Sequence, residues 1–97
     1  MNKTLDMNKI LDDMLNKYND LINMLIVRGY NVSEFEELGE EYSAIIDNNT
    51  NIFANIYLED TIEIYIFNKE YEDECIESKN YKNSKYAYNF IKKYLED

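Results

Sequence analysis

Carboxylates are the most abundant side chains in this sequence that could take part in chemistry. The chain has twenty Asp and Glu residues against ten Lys and Arg, and it contains no histidine. Without histidine, the usual general base near pH 7 and every Ser-His or Cys-His pair are missing. The sequence therefore argues against an enzyme, and we expect no catalytic residue.

Cys75 is the one candidate thiol nucleophile. It lies among Glu72, Asp73, Glu74 and Glu77, and nearby negative charge raises the pKa of a thiol and lowers its reactivity. We therefore expect Cys75 to be a small buried apolar residue. A single cysteine also argues against a disulfide framework and favours a reducing, cytoplasmic setting.

Spacing argues against metal and phosphate sites. Two glycines, Gly29 and Gly39, cannot build a phosphate-binding loop, and no segment has the acid, glycine and Glu spacing of a calcium loop. Glu77-Ser78-Lys79 has the acid-x-Lys spacing of two-metal nucleases, with Asp60 as a candidate second carboxylate. These common residue types recur by chance, and the segment is predicted to be a polar connector. We therefore expect no metal and no cofactor.

The acids are concentrated in the middle of the chain. Residues 1–33 hold four acids and four bases, residues 34–77 hold fourteen acids and one base, and residues 78–97 hold five bases and two acids. Solubility alone does not explain this, because self-repulsion destabilises a fold. Such a field repels nucleic acid and anionic membranes and attracts basic proteins. The sequence predicts a surface that imitates the phosphate backbone of a nucleic acid.

The predicted partner-binding residues are the carboxylates of three segments, 34–41, 59–63 and 70–77, together with one tyrosine. They are Glu34, Glu36, Glu37, Glu40, Glu41, Glu59, Asp60, Glu63, Glu70, Tyr71, Glu72, Asp73, Glu74 and Glu77. Closely spaced carboxylates can replace phosphates in a channel lined by Lys and Arg, and counterion release from both partners would favour the complex. The expected partner is a basic nucleic-acid-binding protein, with no direct contact to nucleic acid or membrane.

Apolar spacing predicts the helices that would frame these segments. A stripe at three- and four-residue steps predicts an amphipathic helix over about 5–28 that ends at Gly29. The stripe consists of Leu11, Met14, Leu15, Tyr18, Leu21, Ile22 and Leu25. Ser33-Glu34-Phe35-Glu36 has the spacing of a capping box, which predicts a helix over 34–41 with Phe35 and Leu38 facing inward.

Alternation of side chains predicts three strands, over 42–47, 52–58 and 62–67, with a turn at Glu59-Asp60. Apolar residues share one face of the last two strands, and the other face carries Phe53, Asn55, Tyr57, Thr61, Glu63, Tyr65 and Phe67. Residues 68–83 are predicted to be a polar connector in which Tyr71, Cys75 and Ile76 anchor one helical turn.

A final helix is predicted over 84–95. The expected fold is a single α+β domain over 1–97 in the order α-α-β-β-β-α, with the helices on one face of a three-stranded antiparallel sheet.

The run Glu70-Tyr71-Glu72-Asp73-Glu74, after three strands flanked by helices, resembles the small acidic phage proteins that inhibit CRISPR nucleases. Some of those proteins have a similar order of elements and a Glu-Tyr-Glu-Asp-Glu run that occupies the PAM-duplex site of the nuclease. The resemblance implies that Glu70, Glu72, Asp73 and Glu74 contact the nuclease, with Tyr71 packing beside them. It also implies a DNA-mimic inhibitor that acts in the cytoplasm of a bacterial host cell.

Other functions fit the same sequence. An acidic surface would also suit an immunity protein or antitoxin that neutralises a basic toxin. Arg28-Gly29-Tyr30-Asn31-Val32, after an apolar helix, resembles the start of the jaw domain in the fifth subunit of eukaryotic and viral RNA polymerases, which implies an assembly module. The acid-x-Lys spacing leaves a metal-dependent nuclease open. The long helix stripe fits either a monomer or a homodimer.

Overall fold

A computed structural model describes the backbone of residues 2–37 and 41–96, and the side chains of residues 13–33, 42–71 and 73–96. The described elements are α1 (Asn2–Arg28), β1 (Asn31–Glu37), β2 (Glu41–Asp47), β3 (Ile52–Leu58), β4 (Ile62–Asn68), β5 (Tyr71–Tyr81) and α2 (Ser84–Leu95). The five strands form one antiparallel sheet in chain order, so each strand pairs with its neighbours in sequence.

The predicted α+β class is confirmed, but the three-stranded sheet and the order α-α-β-β-β-α are wrong. Residues 34–37, assigned to a helix by the capping-box spacing, belong to β1, in which Ser33 lies opposite Ile45 of β2. Pairing with β2 satisfies the backbone groups that a helix would have satisfied internally. The expected inward positions of Phe35 and Leu38 lie outside the described side chains.

The strand β5 occupies the segment predicted to be a connector. It pairs antiparallel with β4 and has register shifts next to Phe67. The predicted helical turn at Tyr71, Cys75 and Ile76 is therefore wrong. The prediction that Cys75 is buried is also wrong, because its side chain is exposed. A strand at the edge of a sheet has one neighbour and buries little, so its sequence carries no alternating apolar signal.

The helix α1 ends at the predicted residue. Gly29 has a φ of +103°, a conformation that glycine adopts without steric cost. Its N–H donates to the carbonyl of Ile26 at 3.0 Å, and the N–H of Tyr30 donates to the carbonyl of Leu25 at 3.2 Å. These two bonds form a Schellman C-cap, which turns the chain directly into β1.

Both helices pack on one face of the sheet, and the core lies between the helices and that face. The sheet contributes alternate residues of β2, β3 and β4, namely Ala44, Ile46, Ala54, Ile56, Ile62, Ile64 and Ile66. The helices contribute Met14, Tyr18, Leu21, Ile22, Leu25, Ala87, Phe90, Ile91 and Leu95. The predicted helix stripe and strand alternation are thus confirmed wherever side chains are described. Neither described helix is both long enough and apolar enough to cross a bilayer.

The C-terminal ends of α1 and α2 meet at Glu96. Arg28 Nε donates to Glu96 Oε2 at 3.0 Å, and Arg28 Nη2 and the Tyr30 hydroxyl also donate to this carboxylate. The bonds from Arg28 and then Tyr30 lower the pKa of the Glu96 carboxyl from 4.5 to about 2. In this fold, the Arg28-Gly29-Tyr30 segment ends one helix and holds the end of the other.

Candidate interaction surface

The candidate surface is the face of the sheet opposite the helices, which we call the open face. Side chains alternate between the two faces of a strand, so register partners form rows across the sheet. The rows of the open face are Asp47, Phe53, Phe67 and Cys75; Ile45, Asn55, Tyr65 and Ser78; and Ser43, Tyr57, Glu63 and Asn80. The described helices pack against the other face, so neither of them covers this one.

Four aromatic rings lie at the centre of the open face. The rings of Phe53 and Phe67 are stacked, with centroids 5.4 Å apart and planes 19° from parallel. The rings of Tyr57 and Tyr65 meet edge to face, with centroids 5.7 Å apart and planes at 75°. All four side chains are half-buried. Aromatic rings left partly exposed on an uncovered sheet face are suited to contact with a partner.

A recess of about 380 Å³ lies beside these rings and is lined by Tyr57, Glu59, Glu63, Tyr65 and Phe67. The hydroxyl of Tyr65 donates to Glu63 Oε1 at 2.8 Å. This bond, together with partial burial, raises the pKa of Tyr65, so the phenol stays a protonated donor at neutral pH. The recess therefore combines aromatic rings with two carboxylates, one of which is held in place by a neighbouring hydroxyl.

Asn55 lies in the middle row of the open face. Its side-chain oxygen is buried and, among the described residues, accepts no hydrogen bond. Burial of an acceptor without a donor costs about 1–3 kcal/mol. A polar residue at this position is therefore not explained by its contribution to stability.

The described residues bring few bases to the open face. The five strands contain one base, Lys79, and its register partner Ile64 is buried under the helices, so Lys79 lies on the helix side of the sheet. Lys69, in the β4–β5 turn, has its Nζ 2.7 Å from Asp47 Oδ1. The sheet region therefore offers a partner many carboxylates and few competing cations.

The net charge of the chain is separated between its two layers. Residues 31–81, which contain the sheet, hold fourteen acids and two lysines. The helix α1 holds four acids and four bases, and α2 holds three lysines and no acid. The sheet layer is strongly negative, whereas the helix layer is neutral to positive.

The predicted acidic residues divide between two ends of the sheet. Successive turns of an antiparallel meander lie at alternate ends. The end of the β1–β2 pairing, at Glu37 and Glu41, and the Glu59-Asp60 turn share one end, whereas Glu70, Asp73 and Glu74 lie at the other. The seven residues of β4 separate the two ends by about 20 Å.

Most of the predicted partner-binding residues whose side chains are described are exposed to solvent. Glu59, Asp60, Glu70, Tyr71, Asp73 and Glu74 are exposed, and Glu63 and Glu77 are half-buried. The side chains of Glu34, Glu36, Glu37, Glu40, Glu41 and Glu72 lie outside the described residues.

Asp60 and Glu77, the carboxylates considered for a metal-dependent nuclease, are not brought together. Glu77-Ser78-Lys79 lies on β5 and not in a connector, and Glu77 pairs with Ile66. Glu77 is therefore about 13 Å along β5 from Tyr81, which marks the end of the sheet near Asp60. Within the part of the chain that is described, no three acidic or thiol side chains are grouped to hold a metal ion.

Two further recesses differ chemically from the one on the open face. A recess of about 520 Å³ between the helices is lined by Asn23, Met24, Val27, Arg28 and Tyr88. Another, of about 350 Å³ at the β4–β5 turn, is lined by Lys69, Glu70, Tyr71, Asp73 and Glu74. As far as the lining side chains are described, the first recess contains no carboxylate, and the second has a lysine among its acids.

No protein-family model, curated protein or solved structure matches this chain.

The aromatic part of the open face was not among the predicted site residues. Its signal was nevertheless present in the sequence, because Tyr57, Tyr65 and Phe67 alternate with buried apolar residues in two adjacent strands. Aromatic residues on the side of a strand that faces away from the core indicate a contact surface as well as a sheet.

Proposed function

We propose that this chain is a protein inhibitor that occupies the nucleic-acid-binding surface of a basic protein. The observation that carries the proposal is the separation of charge between the layers, with fourteen acids and two lysines in residues 31–81. A surface that replaces a polyanion must be strongly negative and carry few competing bases. Binding of this kind requires no catalytic residue and no cofactor.

The open face also offers a counterpart to the bases of a nucleic acid. Its aromatic rings lie between two acidic ends that are about 20 Å apart. In a complex, carboxylates at the ends would stand in for phosphates, and the rings would stand in for base planes. Charged ends speed association and fix orientation, and a desolvated aromatic centre supplies most of the binding energy.

Among basic nucleic-acid-binding proteins, we propose a CRISPR nuclease as the partner. Support comes from the acidic run at the β4–β5 end, where Glu70, Asp73 and Glu74 are exposed and Tyr71 is 62% exposed. An immunity protein for a basic toxin would use the same surface, so the two proposals differ in the partner and not in the contact residues.

A competition assay tests the proposal. A guide-loaded CRISPR nuclease is mixed with a fluorescent target duplex, and the chain is added while the anisotropy of the duplex is followed. We expect the chain to prevent duplex binding. Charge reversal by Asp73→Lys with Glu74→Lys should raise the concentration needed for half-inhibition at least about tenfold, because two close ion pairs are replaced by repulsion.

The matched control is Asp13→Lys with Asp20→Lys, which makes the same change of charge at exposed positions of α1. It should inhibit nearly as well as the unchanged chain. An equal loss of inhibition in both double variants would show that inhibition depends on net charge and not on a defined surface. Failure of the unchanged chain to inhibit duplex binding would reject the CRISPR nuclease as the partner. Inhibition of a basic toxin nuclease in the same format would then favour the immunity protein.

Cys75 provides an independent report on the contact. It is the single cysteine of the chain, is exposed, and lies opposite Phe67 on the open face. Its rate of alkylation by a small thiol reagent should fall when the complex forms. An unchanged rate in a saturated complex would place the contact away from the open face.

A further inference from the structure

We propose that the recess lined by Tyr57, Glu59, Glu63, Tyr65 and Phe67 receives the guanidinium group of one arginine of the basic partner. This inference deepens the proposed function and rests on it, because it names the side chain that the open face recognises. The volume of about 380 Å³ exceeds that of one side-chain head group, so the recess can also admit part of the arginine stem.

The rings give the recess two walls set nearly at right angles. The planes of Tyr57 and Tyr65 meet at 75°, with centroids 5.7 Å apart. A planar cation can stack on the free face of one ring, within the distance of about 6 Å at which cation–π attraction is significant, while the second ring holds the first in place. Phe67, two residues beyond Tyr65 on the same face of β4, extends the aromatic lining.

The carboxylates define where the charge of the guest lies. Glu59 and Glu63 line the same recess as the rings, so a cation held there has both kinds of partner. The Tyr65 hydroxyl occupies Oε1 of Glu63 at 2.8 Å, which orients the carboxylate. A carboxylate offers about four acceptor positions, so Glu63 retains capacity for the N–H groups of a guanidinium.

Arginine fits this combination better than other side chains. Its planar head stacks on an aromatic ring and presents a rigid fork of N–H donors to a carboxylate, whereas the lysine ammonium is a compact and strongly hydrated point charge. A neutral side chain would bring no opposite charge to the two carboxylates. The one base of the strands lies on the helix side, and Lys69, which pairs with Asp47 of the open face, is not among the described residues that line this recess.

The two other recesses do not offer the same chemistry. The recess between the helices has aromatic and apolar walls without a carboxylate among its described lining residues, and Arg28 is part of that lining. The recess at the β4–β5 turn has carboxylates, but Lys69 lies among them. These recesses serve as internal controls for specificity, because a peptide that binds acids indiscriminately would favour the β4–β5 turn.

Binding of a short peptide tests the inference without any partner protein. The full chain, labelled with ¹⁵N and ¹³C, is titrated with a peptide of five arginines, and with peptides of five lysines and of five citrullines. Citrulline keeps the shape of arginine and removes its charge. The arginine peptide should shift the ring signals of Tyr57 and Tyr65 in a saturable way, the lysine peptide should bind at least about threefold more weakly, and the citrulline peptide should cause no shift.

Two variants and one control locate the site. Glu63→Gln should weaken arginine-peptide binding at least about fivefold, because a charged acceptor becomes neutral. Tyr65→Leu should weaken it similarly, and its amide spectrum shows whether the sheet is intact. Glu74→Gln removes the same charge at the distant end of the sheet and should leave the affinity within about twofold.

Three results would overturn the inference: strongest shifts at residues 69–74, equal shifts with citrulline, or equal weakening by Glu63→Gln and Glu74→Gln. The competition assay with a nuclease is independent of this titration. A recess that binds arginine in a chain that inhibits no nuclease would leave this inference standing and reject the proposed partner. If the chain inhibited the nuclease but bound no arginine peptide at the recess, the proposed partner would stand and the arginine site would be rejected.

Discussion

At the scale of single residues, the contact among Arg28, Tyr30 and Glu96 joins parts of the chain that are far apart in sequence. The pKa of Glu96 lies at about 2, below its usual 4.5, mainly because of the bonds from Arg28 and then Tyr30. Burial and the bond to Glu96 raise the pKa of Tyr30 above its usual 10. The contact is therefore formed with Glu96 ionised and Tyr30 protonated. Both residues are in these protonation states at neutral pH.

The acid dependence of stability follows from the direction of the Glu96 shift. A carboxyl whose pKa is lowered on folding adds its full stabilisation above its ordinary pKa of about 4.5, and this is lost as the pH falls towards 2. We expect Glu96→Gln to lower the free energy of unfolding at pH 7, and the difference from the unchanged chain to shrink steadily between about pH 4.5 and pH 2. Urea unfolding followed by far-UV circular dichroism at several pH values measures this difference.

Glu74→Gln is the control for net charge, since Glu74 is exposed on β5, the edge strand at the opposite side of the sheet from β1. It should not reproduce the pH-dependent loss. A constant difference between the Glu96→Gln variant and the unchanged chain from pH 7 to pH 2 would show that the Glu96 carboxylate is not held as described.

The candidate site was predictable in its charge and not in its geometry. Residue type alone identified the carboxylates at Glu59, Glu63 and Glu70. The strand that separates Glu59 from Glu70 was predicted over 62–67, but the edge strand β5, which carries Asp73 and Glu74, was not. The rings of Tyr57 and Tyr65 come together through the register of β3 with β4, which no local pattern specifies.

At the scale of elements, the sequence predicted those parts of the fold that bury one face. The two long helices and the strands β2, β3 and β4 each carry an apolar period that matches their geometry. The edge strands β1 and β5 do not, because an edge strand has one neighbour and leaves much of its surface in water. In β1, the capping-box spacing of Ser33 and Glu36 is a local signal that predicts a helix, and pairing with β2 overrides this preference.

The N-terminus of α2 provides a test at this scale. Asn83 Oδ1 accepts hydrogen bonds from the backbone N–H groups of Lys85 at 2.9 Å and Tyr86 at 3.1 Å. Asn83→Ala leaves these donors without the cap and should lower the free energy of unfolding by about 1 kcal/mol. Urea unfolding at neutral pH measures the loss.

Asn89→Ala is the matched control, because Asn89 is exposed within the same helix and the chemical change is identical. It should be neutral or slightly stabilising, since alanine favours helix more than asparagine does. If Asn83→Ala were as harmless as Asn89→Ala, the cap would not contribute to the stability of α2.

At the scale of the whole molecule, the strand order equals the chain order, so every strand pair forms between neighbours in sequence. The contacts that join residues farthest apart in the sequence are those between α1 and α2, including the bonds of Arg28 and Tyr30 to Glu96. This arrangement places the helix layer, with its bases, on one side of the core and the acidic sheet on the other.

Salt dependence tests whether this separation of charge drives association. For the complex with a guide-loaded nuclease, the dissociation constant should rise at least about tenfold between 50 and 200 mM salt, mainly through slower association. Surface plasmon resonance at several salt concentrations separates the two rate constants. The Asp13→Lys and Asp20→Lys variant should keep a similar dependence, and a dissociation constant insensitive to salt would contradict a charge-driven contact.

The concentration of acids in the strands and turns of the sheet, against helices that are neutral to positive, also gives the molecule an electric dipole with its negative end on the side of the sheet. In the field of a cationic surface, such a body experiences a torque before any atoms touch, and it turns its sheet towards that surface. Many chance encounters would then begin with the aromatic rings already facing the partner. The molecule would be aligned during diffusion and not only after collision.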